Sequence, residues 1–482
     1  MTLDNEVQVK YPSQPPPISD GKNPHVMIVG AGLAGLLLGI LLDKAGIPYQ
    51  IYERAKEVKP LGGVMSLNAG IFPALEQLGL YEELEKVSLP AEAFNIYYSD
   101  MSIISKLSTK LGHVVGYNNA TFSRPDFYNI LLAKIPPEKI HFSKKVLSLE
   151  QNKEGVMIRC ADGTTYHGDI LVGADGAYSG VRQALYKRLA KYGKLPPTDA
   201  NELNKGFICM VGTTKPLDPA KYPGIDGECS NTNQIIGKKS NYCWSAFSVP
   251  GNRICWNAIL QLSTVKEASE LKFKNSEWGS ETSDAMIQAV RDFRIPFGSH
   301  TLGDLIDATP RETISRVFLE DKLFETWNQG RTVLIGDACH KLLPSAGVGA
   351  VTSMQDAVVL ANCLYEMKGL TPDDIDAALS EFKTERFVKV KAQFEASKMN
   401  AKVIYGQSLF ERMLRTIVFN WLPTSVHVKG GYKGVEFRPQ ASFLPQVPVR
   451  GTGPVLPQKP SQRYQNEQAE LKGEEQQTPV AV

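Results

Sequence analysis

The stretch His25-Val-Met-Ile-Val29-Gly30-Ala-Gly32-Leu-Ala-Gly35, then the apolar run to Ala45, then Tyr49-Gln-Ile-Tyr-Glu53, decides the fold. His25 to Val29 is a short apolar run of the kind that forms a buried parallel strand. Residues 36–45 are apolar on most faces, so a helix there must be buried, and Gly46-Ile-Pro48 stops it. Tyr49 to Glu53 reads as the next strand. Strand, glycine-rich turn, helix and strand within about 30 residues make a βαβ opening. Gly30 allows the tight turn, Gly32 lets a backbone approach a pyrophosphate, and Gly35 lets helix and strand pack closely. The phosphates would sit on the helix N-terminus, where free N–H groups and the dipole favour negative charge. Glu53 would accept hydrogen bonds from ribose hydroxyls.

Outward from this opening, residues 71–87 carry a helical pattern with Gly79 inside it, and 93–120 have strand character. A helix follows Pro125. Strands are expected at 145–150, 156–160 and 170–173. Residues 205–265 are strand-like, with a strong hairpin signal in Tyr242-Cys-Trp-Ser-Ala-Phe-Ser-Val249, Pro-Gly-Asn, and Ile254-Cys-Trp-Asn-Ala-Ile-Leu260. A buried strand at 332–335 precedes a long helix at 350–367, and 371–422 is mostly helical. Two more strand-to-turn motifs stand out. One is Leu171-Val-Gly-Ala-Asp175-Gly176-Ala-Tyr-Ser179-Gly-Val-Arg182. The other is Leu334-Ile-Gly336-Asp337-Ala-Cys-His340-Lys-Leu-Leu-Pro344-Ser-Ala-Gly347-Val-Gly349-Ala350. In the latter a strand end places Asp337 outside the sheet, where ligands bind in open α/β folds.

The chain of 482 residues holds 53 Lys+Arg against 51 Asp+Glu, a formal charge of +2, which argues against a dedicated nucleic-acid binder. Hydrophobic residues at 43% suit a soluble enzyme with a large core. The 7 cysteines include no C-x-x-C pair and the 7 histidines no H-x-x-x-H pair, so neither a disulfide framework nor a metal site is expected, and a cytoplasmic location fits. The longest apolar run, residues 31–42, is far short of the roughly 20 residues a membrane span needs.

Taken in this order and spacing, the three motifs resemble the class A flavoprotein monooxygenases, the family of para-hydroxybenzoate hydroxylase, salicylate hydroxylase and zeaxanthin epoxidase. The resemblance covers about residues 25–400. It implies an α/β fold: a Rossmann-like FAD-binding domain with an interleaved β-sheet substrate domain and a C-terminal helical segment. The implied boundaries are a flexible arm at 1–24, an FAD-binding domain from 25–190 and 305–400, a substrate domain at 200–304, a helical segment at 401–430 and an extended, partly disordered tail at 431–482. Strands around 93–120 would join the substrate domain.

By the same resemblance Glu53 binds the adenosine ribose and Asp337 the ribityl chain. Gly63 and Ser66, in Leu61-Gly-Gly-Val-Met-Ser66, run beside the flavin, and Arg124 contacts the cofactor. The Asp175 motif is associated with both FAD and NAD(P)H. Gly347, Gly349 and Ala350 present backbone N–H groups to the flavin pyrimidine. The cofactor is FAD, with NAD(P)H and O₂ as co-substrates, and the reaction implied is hydroxylation or epoxidation through a C4a-hydroperoxyflavin. The substrate would be an aromatic, isoprenoid or polyketide-like small molecule. His340-Lys341 followed by Pro344 resembles the fungal epoxidases and hydroxylases of indole-diterpene and meroterpenoid pathways. Those typically have Asn, Gln and Asn where this chain has Ser345, Val348 and Val351.

No acid or base residue is compulsory for the oxygen transfer, and none is named. An FAD-dependent reductase or oxidase, and a flavin-binding protein without turnover, are the competing readings. Tyr242 and Trp244 share one face of their strand and Cys243 the other. Either set could floor a cavity, and plain sheet packing is the alternative. Tyr222 could reach a pocket or make a turn. His340 reads as a structural hydrogen-bonder. Glu411-Arg-Met-Leu-Arg-Thr-Ile-Val-Phe-Asn-Trp-Leu422 is amphipathic with Arg412 and Arg415 on one side, so it either packs on its own domain or makes a peripheral membrane contact.

Overall fold

The computed structural model describes residues 23–57, 62–108, 112–238, 240–262 and 284–477. Most of the expected N-terminal arm, residues 1–22, lies outside them, as does Leu61.

The βαβ opening forms as the apolar pattern demands. Val26–Val29 is buried at every position, and the helix Leu33–Lys44 is buried from Leu33 through Leu42. Each such Leu or Ile contributes roughly 1.5–3 kcal/mol by leaving water. The strand pairs in parallel with Tyr49–Tyr52 on one side and Ile170–Gly173 on the other. Ile170–Gly173 pairs in parallel with Thr332–Leu334, and Ile140–His141 and Asn328–Gln329 complete a six-stranded sheet. The register fixes where the loops emerge. Val29 lies beside Gly173, and Gly173 beside Leu334. The turns at Gly30, Asp175 and Gly336 therefore leave the same end of three adjacent strands.

An eight-stranded sheet stands beside this one. Its order is His340–Lys341, Ser315–Leu323, Asn204–Thr213, Arg253–Gln261, Tyr242–Val249, Thr232–Ile236, Ala93–Tyr98 and Ile103–Ser108. The hairpin signal is realised as the antiparallel pair Tyr242–Val249 and Arg253–Gln261. Ser315–Leu323, which the sequence boundaries group with the FAD-binding part, is hydrogen-bonded to Asn204–Thr213 in this sheet. One face carries Trp244, Trp256 and Ile254 into a core closed by the helices Asp284–Val290 and Leu302–Asp307. The other face, with Cys209, Ile259 and Leu319, looks towards the first sheet and the C-terminal helices.

The mostly helical stretch expected at 371–422 is present, and two other local expectations need correction. The helical stretch 71–87 is two short helices, Phe72–Gln77 and Tyr81–Lys86, because Gly79 takes φ +66° and ends the first. The 371–422 stretch opens with one long helix, Pro372–Ile404, started by a Thr371/Asp374 capping box. The tail from 431 is extended over much of its length but docked rather than partly disordered through residue 477. Val435, Ala441 and Phe443 join the first core, and Arg438 donates from Nη1 to the Val115 carbonyl at 2.7 Å. Backbone amides of this extended chain are satisfied by side-chain amides: Gln440 N–H by Gln458, Ala441 N–H by Gln77, Ser442 N–H by Asn362. Gln458 comes from the tail itself, while Gln77 and Asn362 belong to the body it docks on, so the backbone of the extended chain is satisfied from both sides. Gln462–Gln477 is helical, tied back by Arg463 to the Tyr365 carbonyl at 3.0 Å.

Candidate active site

The three turns converge on one large cavity of about 1840 Å³. All the expected site residues except Gly35 line it: Gly30, Gly32, Glu53, Gly63, Ser66, Arg124, Asp175, Asp337, Gly347, Gly349 and Ala350. Gly35 lies one turn into the helix, where a Cβ would stand 2.1 Å from the Gly30 carbonyl oxygen, so its part is close packing. Gly30 has φ +105° and donates to the Tyr52 carbonyl at 2.8 Å. Gly32 is the residue before the helix and has open space beside it, with only the Ala174 oxygen at 4.0 Å from a notional Cβ.

Glu53 is held by its neighbours before any ligand arrives. Oε2 accepts from the Ala31 N–H and Oε1 from the Ala55 N–H, both at 2.8 Å. Each oxygen keeps a further lone pair for a hydroxyl. The Tyr128 hydroxyl donates to the Ala31 carbonyl at 2.8 Å and fixes the same turn from the far side. Tyr128 belongs to the helix Arg124–Ala133, whose first residue donates its N–H to Gly63 at 3.1 Å. The Arg124 side chain lies where a Gly62 Cβ would be, within 2.9 Å, which is why that loop carries glycine at φ +133°. Burial pulls the Arg124 guanidinium down, opposed by the charges of Tyr128 and Asp337.

The Asp175 turn is first of all a helix cap. Its Oδ2 accepts from the Gly180 N–H at 2.7 Å and the Val181 N–H at 3.2 Å, and the Ser179 hydroxyl accepts from the Arg182 N–H. Oδ1 is buried without a protein partner at the cavity wall, and burial raises this carboxyl. Arg182 links two motifs. Its guanidinium donates to the Ala338 carbonyl at 2.8 Å and the Ala177 carbonyl at 2.6 Å, and lies 4.2 Å over the Phe324 ring. Arg182→Met leaves both carbonyls unpaired, and charged hydrogen bonds of this kind are worth about 1.5–3 kcal/mol. Flavin should dissociate at least about tenfold more readily, read by fluorescence on dilution; retention equal to the parent protein would show the two turns to be independent.

The Gly336–Asp337 turn is braced from behind. The Gly336 N–H donates to Asp356 Oδ2 at 2.9 Å, His340 Nε2 lies 2.5 Å from the same oxygen, and Arg386 Nε is 2.7 Å from Oδ1. His340, Asp356 and Arg386 are 0–1% exposed. His340 is the structural hydrogen-bonder expected. Arg386 has no sequence signal near it. Asp337 itself reaches the cavity beside Lys341, its ion-pair partner. Gly347 has φ +64°, and Gly349 opens the helix Gly349–Tyr365, whose N-terminus faces the cavity. Ser345 spends its hydroxyl on the Ser397 carbonyl at 2.6 Å.

Beyond these turns the cavity runs along the inner face of the eight-stranded sheet. The set that lines it is the Cys243 face: Ser245 and Phe247, with Gln234, Asn257 and Ile259 from neighbouring strands. Trp244 turns away, packs on Phe293 at 4.4 Å and donates to the Arg294 carbonyl at 2.8 Å. Tyr222 stacks on His300 at 3.9 Å and makes a turn. None of the lining residues from Thr232–Ile236, Tyr242–Val249 and Arg253–Gln261 is ionisable. Burial pushes the Cys209 thiol, also on this wall, up to about 12, so it is a neutral wall group.

The sequence profile of the FAD binding domain matches residues 23–198 and 299–397. The FAD-dependent monooxygenase ptmM of Penicillium ochrochloron is 30% identical over 408 residues, 81% of this chain and 91% of that protein. The FAD-dependent monooxygenase ausM of Emericella nidulans is 29% identical over 455 residues, 89% of this chain and 88% of that one. Among solved structures, Klebsiella pneumoniae HpxO complexed with FAD and uric acid superposes with a TM-score of 0.70 at 21% identity, covering 86% of this chain and 97% of that one. A salicylate hydroxylase substrate complex superposes with a TM-score of 0.61 at 20% identity, covering 85% and 98%. The profile spans more than half of the chain, and the chain belongs to the FAD binding domain family, among the class A FAD-dependent monooxygenases.

Proposed function

We propose that this monooxygenase uses NAD(P)H and O₂ to place one oxygen atom on a lipophilic small molecule held against the inner face of the eight-stranded sheet. The observation that carries this reading is the continuity of the cavity. One space joins the Gly32 turn and Glu53 to the Gly349 helix end and then to the Phe247–Asn257–Ile259 wall. The donor set fits FAD from end to end. Gly30 and Gly32 would give amide access to the diphosphate, while Gly35 closes the helix onto the strand. Glu53 would take the ribose and Asp337 the ribityl hydroxyls. Gly63, Ser66 and Arg124 would flank the ring system, with Asp175 at the wall nearby. Gly347, Gly349 and Ala350 would offer amides and a helix dipole where negative charge gathers on a reduced flavin.

FAD supplies the redox and oxygen chemistry when bound. The protein's residues bind, orient and exclude water. Phe247, Ile259 and the neutral Cys209 make an apolar wall, and Gln234, Ser245 and Asn257 give a substrate a few polar anchors. Asn257 donates to the Ser245 hydroxyl, and its own Oδ1 has no protein partner, which leaves an acceptor for a substrate hydroxyl. No side chain is asked to move a proton at the reacting carbon.

The test is anaerobic addition of NADPH or NADH to the flavin-loaded protein, with and without a panel of phenols and prenylated aromatics. Bleaching near 450 nm, about where oxidised flavin absorbs, should accelerate when a fitting ligand is present. Readmitted O₂ should return a product heavier by one oxygen. Reduction by pyridine nucleotide without any oxygenated product would favour a reductase or oxidase on the same scaffold.

A further inference from the structure

The segment after the long helix leaves large apolar side chains in solvent. A soluble amphipathic helix turns its apolar stripe to the core and its charges to water. Here Leu409–Thr416, started by a Ser408/Glu411 capping box, and its continuation Ile417–Trp421 also turn a row of large apolar side chains outward and one arginine inward. Arg415 is 3% exposed and spends its guanidinium on the Val403 and Gly406 carbonyls. Leu409, Phe410, Met413, Ile417 and Trp421 stand in solvent, Leu409 at 81% and Trp421 at 77% exposure. The spacing 409, 413, 417, 421 keeps them on one side, over about 18 Å at helical rise. Leu422 and Val426 extend the patch. A contiguous apolar stripe of this kind on a soluble protein marks a contact surface.

Two more observations say what the contact is with. The first is charge. Between residues 402 and 434 the sole acid is Glu411, and its carboxylate is taken by the Ser408 N–H at 3.0 Å and the Ser408 hydroxyl at 2.8 Å. The exposed charges left are Lys402, Arg412, Lys429 and Lys433, all basic, in a chain that is otherwise nearly balanced. A hydrophobic stripe edged by lysine and arginine, ending in a tryptophan, matches an anionic lipid surface: apolar groups meet acyl chains, cations meet headgroups, and indole prefers the boundary between them. The second is position. On the inward side of the same short segment Val418 and Phe419 line the cavity, and Met399, 52% exposed, lines it too. Part of the cavity rim is therefore at the surface beside the stripe.

We propose that residues 409–426 seat the protein on the surface of an anionic bilayer, with the apolar stripe at the headgroup–acyl boundary and the cavity rim facing the lipid. No helix among the described residues is long and apolar enough to cross a membrane, so the seating is on one leaflet. A lipophilic substrate then reaches the cavity from the bilayer without crossing water. The docking itself does not depend on which molecule is oxidised.

The flavin-loaded full chain should float with vesicles of phosphatidylcholine carrying about 30 mol% phosphatidylserine at least about tenfold more than with phosphatidylcholine alone, and less as salt rises. The triple variant Phe410→Ser, Met413→Ser, Trp421→Ser should keep its flavin content and thermal midpoint, because these side chains are exposed, and should lose flotation. Lys429→Glu with Lys433→Glu should lose the preference for phosphatidylserine. Absence of flotation of the parent protein, or equal flotation of the triple variant, overturns the proposal. So does a parent dimer in size-exclusion chromatography that the triple variant makes monomeric without any vesicle binding, since the stripe would then seat a second copy of this chain.

Discussion

Gly32→Val should give a folded protein without flavin, and Gly35→Val should give no folded protein. The two glycines lie three residues apart in one motif, yet they meet different surroundings. A Cβ at Gly35 would stand 2.1 Å from the Gly30 carbonyl oxygen and 3.4 Å from the Ala174 Cβ. The first atom is backbone, in a turn with φ +105° registered between two strands, so nothing flexible can give way. Relief requires the helix Leu33–Lys44 to move off the sheet, and that helix is buried through ten successive residues. Forcing even one extra group into such a core costs about 1–3 kcal/mol, and a backbone overlap costs more. At Gly32 the nearest atom is 4.0 Å away and φ is −76°, which any residue adopts. The space is free in the protein and is where we propose the FAD diphosphate lies. Circular dichroism and the thermal midpoint of the apoprotein should match the parent for Gly32→Val, while FAD affinity falls at least about tenfold, about 1.4 kcal/mol. Stoichiometric flavin in purified Gly32→Val would remove the diphosphate from that turn.

The contrast shows what a sequence of this kind discloses. The βαβ opening was readable because its signals are local: an apolar run, glycines at fixed spacing, a buried helix and an acid at the next strand end. The Asp175 and Gly336 turns were readable for the same reason, and strand register then set them beside Gly30. Which face of the hairpin meets the cavity was not readable. Tyr242 and Trp244 alternate with Cys243 and Ser245 in either case, and only the helices Asp284–Val290 and Leu302–Asp307 on the Trp244 side decide it. Arg412 and Arg415 sit on one side of a helical wheel, yet Arg415 is buried because two carbonyls at the end of the preceding helix need a donor. The docking of the tail depends on partners such as Val115 and Gln77, hundreds of residues away, and no spacing rule reaches that far.

The brace behind the Asp337 turn, in which His340 was readable and Arg386 was not, is costly to disturb. Asp356→Ala removes the shared acceptor of the Gly336 N–H, His340 Nε2 and Arg386 Nε. Arg386 keeps one hydrogen bond of 3.0 Å to the Thr352 carbonyl, but its charge is left buried without a counter-ion. Breaking a buried pair by removing one partner costs about 3–5 kcal/mol. Burial alone would raise the Asp356 carboxyl, but the charges and hydrogen bonds of His340 and Arg386 outweigh it, and the group is held below its ordinary value. Its stabilisation is therefore present above about pH 4, where an unfolded aspartate is ionised, and is lost as the pH falls through the folded value. Asp356→Ala should lower the thermal midpoint by several degrees at pH 7 and release flavin ahead of unfolding, because Gly336 and Asp337 share one turn. The double variant Asp356→Leu, Arg386→Met discriminates between lost charge pairing and lost turn bracing. It removes the unpaired charge and should recover most of the midpoint, as apolar replacements of buried pairs do. It leaves the Gly336 N–H without an acceptor, so the weakened flavin affinity should persist. If the double variant regains both, the carboxylate stabilises the core alone and does nothing for the cofactor turn.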